Sequence, residues 1–140
     1  MKIKSDLKRL YQLTQDHECG LIIATHNDYS DVDNKRRNVS LLAKLQDKGL
    51  SVRLVESSGK RKFFVIDESD CGKLKAYLTL FSKEFQQSTI EFTTKSGNIR
   101  VDLVIKGYSQ PQGMAGKLGC HSFAIKDWKV ITDDEFYRIE

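Results

Sequence analysis

One helix and the two strands after it constrain the fold more than any other part of the chain. An amphipathic helix pattern with leucines on one side runs to about Lys48, and Gly49 follows it as a residue that can end a helix in the left-handed conformation. Two hydrophobic strands come next, at about 50–56 and 62–67, and the four residues 57–60 (Ser-Ser-Gly-Lys) between them are typical of a hairpin turn. This sequence of elements predicts a helix packed on an antiparallel sheet.

The elements on either side of this unit continue the alternation of strand and helix. Apolar residues at helical spacing predict a second amphipathic helix, and strict alternation near residue 100 predicts a strand with one solvated face. Before the first long helix we predict a helix over 4–17 capped by Ser5, a strand at 20–25, and a loop over 27–33 whose Asp31 or Asp33 starts the long helix. After the hairpin we predict a helix over 71–85 capped by Ser69 or Asp70, and strands at 88–94 and 99–106 joined by a turn at 96–98. A glycine-rich loop over 107–119 and strands at 121–125 and 128–131 complete the prediction.

This order predicts an α+β protein with a ferredoxin-like, split β-α-β core, in which an antiparallel sheet carries helices on one face. The other face of the sheet would need a cover, which the C-terminal segment, a partner chain or both could supply. The 140 residues fit one domain, with an N-terminal helix over 1–18, a core over 19–106, and the glycine-rich loop and C-terminal strands over 107–140. We expect the N-terminal helix to lie outside the central fold.

The positive charge of the chain is concentrated in one region. The net charge is +4, but residues 35–62 carry nine Lys and Arg against Asp47 and Glu56. A local surplus of this kind indicates either an anionic partner or a solvated helix face next to a charged strand edge. No motif of the common nucleic-acid-binding folds is present, so a nucleic-acid partner is not expected.

Several classes of protein and of site are not expected. No apolar run approaches the roughly 18 residues that a membrane-spanning helix needs, and the N-terminus has no apolar signal core, which favours a cytoplasmic protein. The spacing of cysteine and histidine predicts reduced thiols and no metal site. These residues are Cys19, Cys71, Cys120, His17, His26 and His121. No cofactor is expected either.

No arrangement of residues predicts a nucleophilic enzyme. The motif of a catalytic serine is absent, and the glycine-rich loop lacks the spacing of a phosphate-binding P-loop. Two carboxylates on predicted strands remain, Glu56 at a strand end and Glu91 within a strand. Glu91 is interpreted either as a residue of the solvated sheet face or, if a second subunit covers that face, as a partly buried anion that could hold a cationic ligand.

A set of residues between Leu21 and Gly107 resembles a known enzyme family. They are the loop after the first strand, Asn34 with Arg37 and Asn38, Leu41 and Leu45, Gly49, Val55 with Glu56, Phe63 to Val65, and Phe85 with Gln87, followed by a weaker match at 118–120 and at Trp128. In these positions the chain is similar to the phage S-adenosylmethionine lyases, formerly called hydrolases.

The resemblance implies a ferredoxin-like trimer, similar to the PII signalling proteins, with the adenosine-containing ligand between subunits in the cytoplasm of a bacterial host cell. It also implies a reaction in which the substrate's own carboxylate attacks its γ-carbon, which releases methylthioadenosine and leaves homoserine lactone. Such a reaction needs no nucleophile from the protein, which would fold the substrate and exclude water.

The site residues that follow are two candidate catalytic acids and five candidate ligand contacts. Each has a structural alternative, such as a turn aromatic for Tyr29, a helix cap for Asn34, a solvated cation for Arg37 and the end of a helix for Gln87. The candidate acids are Glu56 and Glu91, and the candidate ligand contacts are Tyr29, Asn34, Arg37, Arg61 and Gln87.

The chain departs from the family where charge matters most. Acids expected before the Phe-Phe strand are replaced by Lys60, Arg61 and Lys62, and an acid expected after Gln87 is replaced by Ser88. At an effective dielectric constant of ~20, a charge reversal about 4–5 Å from a ligand changes binding by several kcal/mol before solvent screening. The sequence therefore supports two hypotheses: a lyase acting on S-adenosylmethionine or a phosphate-bearing relative, as phage counter-defence, or a catalytically silent trimer that sequesters an anionic nucleotide signal. A third reading is an interaction module without small-molecule chemistry.

Overall fold

A computed structural model describes residues 9–10, 12–87, 89–93, 104–105, 119–121, 123–124 and 128–138. Four helices and eight strands lie within these ranges. In chain order they are α1 (residues 9–10 and 12–16), β1 (Cys19–Ile22), α2 (Asp31–Asp47), β2 (Ser51–Ser57), β3 (Lys60–Ile66), α3 (Leu74–Glu84), β4 (Thr89–Thr93), β5 (Val104–Ile105), β6 (Gly119–His121), β7 (Phe123–Ala124), β8 (Lys129–Val130) and α4 (Asp133–Phe136).

The main sheet has the strand order β6-β4-β1-β3-β2-β8. Neighbouring strands in the series β4-β1-β3-β2-β8 are antiparallel to each other, whereas β6 pairs parallel with β4. Strands β5 and β7 form a separate antiparallel pair. The prediction of an α+β protein built on an antiparallel sheet with helices is confirmed.

Helices α2 and α3 pack on one face of this sheet. Gly20 on β1 permits the close approach of α3, because a Cβ atom at this position would lie 2.5 Å from Leu78 Cδ1 and 2.7 Å from the carbonyl oxygen of Glu91. The apolar residues buried between helices and sheet are Ile22, Ala24, Leu41, Leu45, Leu50, Leu54, Phe63, Val65, Leu74, Leu78, Phe81, Phe85, Phe92, Ile131 and Phe136.

The opposite face of the sheet is covered in part by the N-terminal helix, which corrects two expectations. Leu10 and Leu13 of α1 pack, together with Trp128, against a second cluster of buried residues on this face. The helix therefore belongs to the core instead of lying outside it, and helices occupy both faces of the sheet. The buried members of this second cluster are Leu10, Cys19, Leu21, Val55, Phe64 and Ile66.

The long helix α2 begins at Asp31, one of the two starting residues that the sequence predicted. Ser30 is its N-cap, and the Ser30 hydroxyl accepts a hydrogen bond from the Asp33 backbone N–H at 3.1 Å. Asp31 and Asp33 lie in the first turn, where acids complement the helix dipole. The basic stretch 35–37 therefore comes after the helix start and does not form it.

The second long helix begins later than its predicted cap. It starts at Leu74, with Lys73 at the N-cap making no side-chain bond. The Asp67 carboxylate instead accepts hydrogen bonds from the backbone N–H groups of Cys71 at 3.0 Å and Gly72 at 2.9 Å. Although burial alone would raise it, these bonds hold the pKa of Asp67 below its usual value. The expected cap at Ser69 or Asp70 is wrong because Asp67 stabilises a turn there.

The hairpin between β2 and β3 agrees with its prediction. Ser58 and Gly59 both have positive φ angles, 51° and 79°, as a two-residue hairpin turn of the primed type requires.

The short helix α4 was not predicted, although its capping box is readable in the sequence. The Thr132 hydroxyl accepts a hydrogen bond from the Glu135 N–H, and the Glu135 carboxylate accepts one from the Thr132 N–H.

Other predictions concern parts of the chain outside the described residues. These are the helix before residue 9, Ser88, the turn at 96–98, most of the strand over 99–106, and the glycine-rich loop up to residue 118. Within the part of the chain that the structure describes, no helix has the length and apolar character needed to cross a membrane.

Candidate anion-binding cleft

A cleft of about 620 Å³ opens at the end of the sheet where β1 stops and the β2–β3 hairpin turns. Three segments that are distant in sequence line it: the end of β1 with the first half of α2, the tip of the hairpin, and the C-terminal end of α4. The lining residues are Ile23, Thr25, Asn27, Asp31, Asn34, Lys35, Asn38, Gly59, Lys60, Arg61, Lys62, Phe136, Tyr137 and Arg138. We call residues 23–38 of this set the α2 wall, and residues 59–62 with 136–138 the hairpin wall.

The two walls differ in charge. The α2 wall contributes one acid, Asp31, and one cation, Lys35, whereas the hairpin wall contributes four cations and no acid. Among the described residues, Lys35, Lys60 and Arg138 form no salt bridge, so their charges are available to a ligand. The excess of positive charge makes the cleft a candidate site for an anion.

Arg61 ties the hairpin to the C-terminal helix. Its Nε donates to the Glu56 carboxylate at 3.2 Å, and its Nη1 donates to the carbonyl oxygens of Phe136 at 3.2 Å and Arg138 at 2.9 Å. The Phe136 ring stacks on Phe63 with 4.7 Å between the ring centroids. These contacts hold the hairpin wall together, and they commit most of the donors of Arg61 to the protein itself.

The two candidate catalytic acids lie on opposite faces of the sheet. Glu56 lies on the α2–α3 face and pairs with Arg61 at 3.2 Å and with Lys129 at 3.6 Å. Glu91 is opposite Leu21 on the α1 face, and its carboxylate accepts from Lys62 Nζ at 2.9 Å. Each acid is therefore already neutralised by a cation, and a single ligand in the cleft cannot contact both within one chain.

Three of the candidate ligand contacts instead hydrogen-bond to the segment that follows β1, namely Asn34, Arg37 and Gln87. This segment leaves the sheet after Ile22, so its backbone groups need partners other than a neighbouring strand. Asn34 provides two: its Oδ1 accepts from the His26 N–H at 3.0 Å, and its Nδ2 donates to the His26 carbonyl at 3.1 Å. Gln87 Nε2 donates to the Thr25 carbonyl at 3.0 Å.

Arg37 makes the largest set of these contacts. Its guanidinium donates to the Ala24 carbonyl at 2.9 Å and to the Phe85 carbonyl at 2.6 Å, which joins α2, the segment after β1 and the end of α3. The same group lies 4.2 Å from the ring centroid of Tyr29, which is 40% exposed. Tyr29, Arg37 and Gln87 thus form a cluster beside the cleft, whereas Asn34 and Arg61 line it.

Four residues that shape the cleft were not among the candidate site residues, although Asn38 and Lys60 stood out in the sequence for other reasons. Asn38 is buried, and its side chain accepts from the Ala24 N–H and donates to the Thr25 hydroxyl, each at 2.8 Å. Lys35 and Lys60 bring unpaired charges to it, and Tyr137 places a buried hydroxyl behind it that has no partner among the described residues. Burial raises the pKa of Tyr137, as does the Asp133 carboxylate to a smaller extent. The helical spacing of Asn34 and Asn38 was the signal that could have identified Asn38.

No metal site is found in the described part of the chain, where no three His, Cys, Asp or Glu side chains lie close enough together to hold an ion. The thiol of Cys19 is buried, and burial raises its pKa, so this cysteine is a core residue and not a reactive group. In comparisons with known proteins, no family model matches the chain, and no curated protein or solved structure shows detectable similarity to it.

Proposed function

We propose that this protein binds a small anionic ligand of the nucleotide class in the basic cleft. The observation that carries the proposal is the convergence of Lys35, Lys60 and Arg138 on one cleft of about 620 Å³, from three separate segments and without a salt bridge among the described residues. Small-molecule sites commonly measure ~300–1,000 Å³, so a mononucleotide fits this volume. Phosphate groups are the anions that such cation-rich sites most often bind.

The adenosine part of the ligand comes from the sequence resemblance. The strand order β4-β1-β3-β2 with antiparallel neighbours is compatible with the ferredoxin-like core that the resemblance implies, and we propose that core for this chain. An adenosine nucleotide is accordingly the ligand to test first. The protein would act as a binding protein that sequesters the nucleotide in the cytoplasm of a bacterial host.

Binding without turnover is favoured over lyase activity by the state of the two acids. A site for the cationic sulfonium of S-adenosylmethionine needs uncompensated negative charge, yet Glu56 and Glu91 are both paired with cations. The lyase is the second candidate, and one observation favours it. The side chains of Glu56 and Glu91 are only 21% and 20% exposed, so a conformational change that released either cation would leave a partly buried carboxylate.

A trimer is part of both candidates as the sequence resemblance implies them. Because α1 packs on the sheet face that a partner could have covered, subunits of a trimer would have to meet at other surfaces. The cleft is lined by residues of one chain, so the binding proposal does not depend on the trimer.

Calorimetric titration of the protein with ATP tests the first candidate. We expect binding that weakens as salt increases, because surface charges are screened within about 10 Å at 0.1 M salt. Lys60→Gln and Arg138→Gln should each lower the affinity roughly tenfold, as expected for a charge-assisted contact. Lys83→Gln removes an exposed lysine from α3, outside the cleft, and should leave the affinity unchanged. Equal effects of all three substitutions would exclude the cleft as the site.

Incubation with S-adenosylmethionine tests the second candidate. Formation of methylthioadenosine, detected by chromatography, would establish lyase activity, and its absence together with nucleotide binding would support sequestration. If turnover is found, Glu91→Gln should reduce it. Unchanged turnover in that variant would remove Glu91 from the mechanism.

A further inference from the structure

The charge of the cleft is polarised, because Asp31 is the one acid among the described lining residues and it lies on the α2 wall. Asp31 lies in the first turn of α2, is exposed, and its side chain has no hydrogen-bond or ion-pair partner among the described residues. Lys60 and Arg138 belong to the hairpin wall, where the lining residues include no acid. An anionic group is therefore attracted to the hairpin wall and repelled from Asp31.

The chemistry of Asp31 complements the other end of a nucleotide. An ionised carboxylate only accepts hydrogen bonds, so it can bind the hydroxyls of a ribose or the amino group of a base, but not a phosphate. Asn27 and Asn34 line the cleft on the same wall as Asp31. The Asn34 amide is occupied by the backbone of residues 26 and 29, which leaves Asp31 as the ionised acceptor of the cleft lining.

We infer that the cleft holds its ligand in one orientation, with the phosphates on Lys60 and Arg138 and a hydrogen-bond-donating sugar or base on Asp31. This inference rests on the proposed function and adds to it the requirement for a ligand with two unlike ends. A ligand that consists of phosphate alone gains the contacts of the hairpin wall but is repelled by Asp31. A nucleotide gains both contacts.

Paired titrations with ATP and with inorganic tripolyphosphate test this orientation in the full-length protein. Lys60→Gln should lower the affinity for both ligands by roughly tenfold, since both place phosphate on the hairpin wall. Asp31→Asn should lower the affinity for ATP by about five- to tenfold, because a charge-assisted hydrogen bond is lost. The same substitution should leave the affinity for tripolyphosphate unchanged or raise it by up to about twofold, because a repulsive charge is removed.

Asp33→Asn is the matched control. Asp33 lies in the same helical turn, carries the same charge, and pairs with Arg36 at 3.8 Å, but it does not line the cleft. Its substitution should change the affinities for ATP and tripolyphosphate by the same small factor. Circular dichroism spectra of the variants confirm that each is folded.

The outcomes separate the inference from the proposal beneath it. If Asp31→Asn changes both affinities in the same direction and by similar factors, the orientation is wrong while nucleotide binding stands. If neither ATP nor tripolyphosphate binds the unmodified protein, the proposed function is wrong, and the orientation falls with it.

Discussion

The two walls of the cleft use similar polar residues for opposite purposes. On the α2 wall and beside it, Asn34, Arg37 and Asn38 direct their hydrogen bonds to the backbone of the segment after β1. On the hairpin wall, Lys60 and Arg138 form no salt bridge within the described residues. The comparison shows that residue type alone does not reveal whether a cation is already engaged, because Arg37 donates to backbone carbonyls whereas Arg138 forms no salt bridge among the described residues.

The difference between the walls follows from the secondary structure on each side. The backbone after β1 is irregular, so side chains must satisfy its polar groups. The hairpin wall is built on β2 and β3, whose backbones satisfy each other from Ser57–Lys60 to Ser51–Ile66. Its side chains are therefore not needed as backbone partners, with the exception of Arg61. We expect substitutions on the α2 wall to affect folding and those on the hairpin wall to affect binding.

The largest effect is expected at Arg37. Arg37→Ala removes the donors to the Ala24 and Phe85 carbonyls and the stacking with Tyr29, and should lower the free energy of unfolding by about 3 kcal/mol. Arg36→Ala is the control, because Arg36 is 79% exposed and its one ion pair among the described residues is with Asp33, and its cost should be under ~0.5 kcal/mol. Urea denaturation measures both. Similar values for the two variants would show that Arg37 is not a brace.

A smaller loss of stability is expected at Asn38. Asn38→Ala leaves the buried Ala24 N–H without an acceptor and should cost about 2 kcal/mol, measured by the same denaturation experiment. Asn38→Asp keeps the acceptor for this N–H but loses the donor to Thr25, so its cost should be different in origin and should depend on pH. An Asn38→Ala variant as stable as the unmodified protein would contradict the assignment of this wall.

An intermediate effect on both properties is expected at Arg61, which belongs to the hairpin wall but donates to backbone carbonyls. Arg61→Ala removes the bonds to Phe136 and Arg138, and should lower the free energy of unfolding by about 1–2 kcal/mol. Because it releases α4, it should also weaken nucleotide binding. Hydrogen exchange of the Phe136 and Tyr137 amides would become faster if this reason is correct. Unchanged exchange would show that the Phe136–Phe63 stacking holds α4 without Arg61.

The smallest effect is expected at Tyr137, and it depends on pH. The pKa of Tyr137 is higher in the folded than in the unfolded protein, where it is about 10. The contribution of this group to the free energy of unfolding is therefore constant below pH ~10 and decreases as the pH rises beyond it. Tyr137→Phe removes this loss, so thermal denaturation from pH 7 to 11 should show the variant gaining on the unmodified protein above pH ~10. At pH 7 the two should differ by less than about 1 kcal/mol, because the hydroxyl has no partner among the described residues. A parallel decline of both proteins with pH would remove Tyr137 as the cause.

Local patterns were sufficient for the main elements of the fold. Gly49 ends α2 with a φ of 78°, and the hairpin turn lies at Ser58 and Gly59 as the sequence predicted. Both features depend on the conformational preferences of a few neighbouring residues. The capping box of α4 is local in the same way, and it was missed although Thr132 and Glu135 stand at the required spacing.

The candidate site was less predictable, because its contacts join distant parts of the chain. Tyr29, Asn34, Arg37 and Gln87 are close together in the structure, but Arg37 and Gln87 reach backbone groups 13 to 62 residues away. No periodicity contains this information. Glu56 and Glu91 were each placed on strands as predicted, yet the strand pairing puts them on opposite faces and gives each a cation as partner.

The sequence by itself determined the order of the helices and strands from β1 to β4, the ends of several of them and the concentration of positive charge, since these depend on neighbouring residues or on composition. The tertiary structure alone decided that α1 covers the second face of the sheet, that Arg37 and Asn38 serve the backbone, and that Lys60, Arg138 and Asp31 share a cleft. The physical reason is that a polar side chain has no assigned partner until packing brings a distant backbone group or charge within hydrogen-bonding distance.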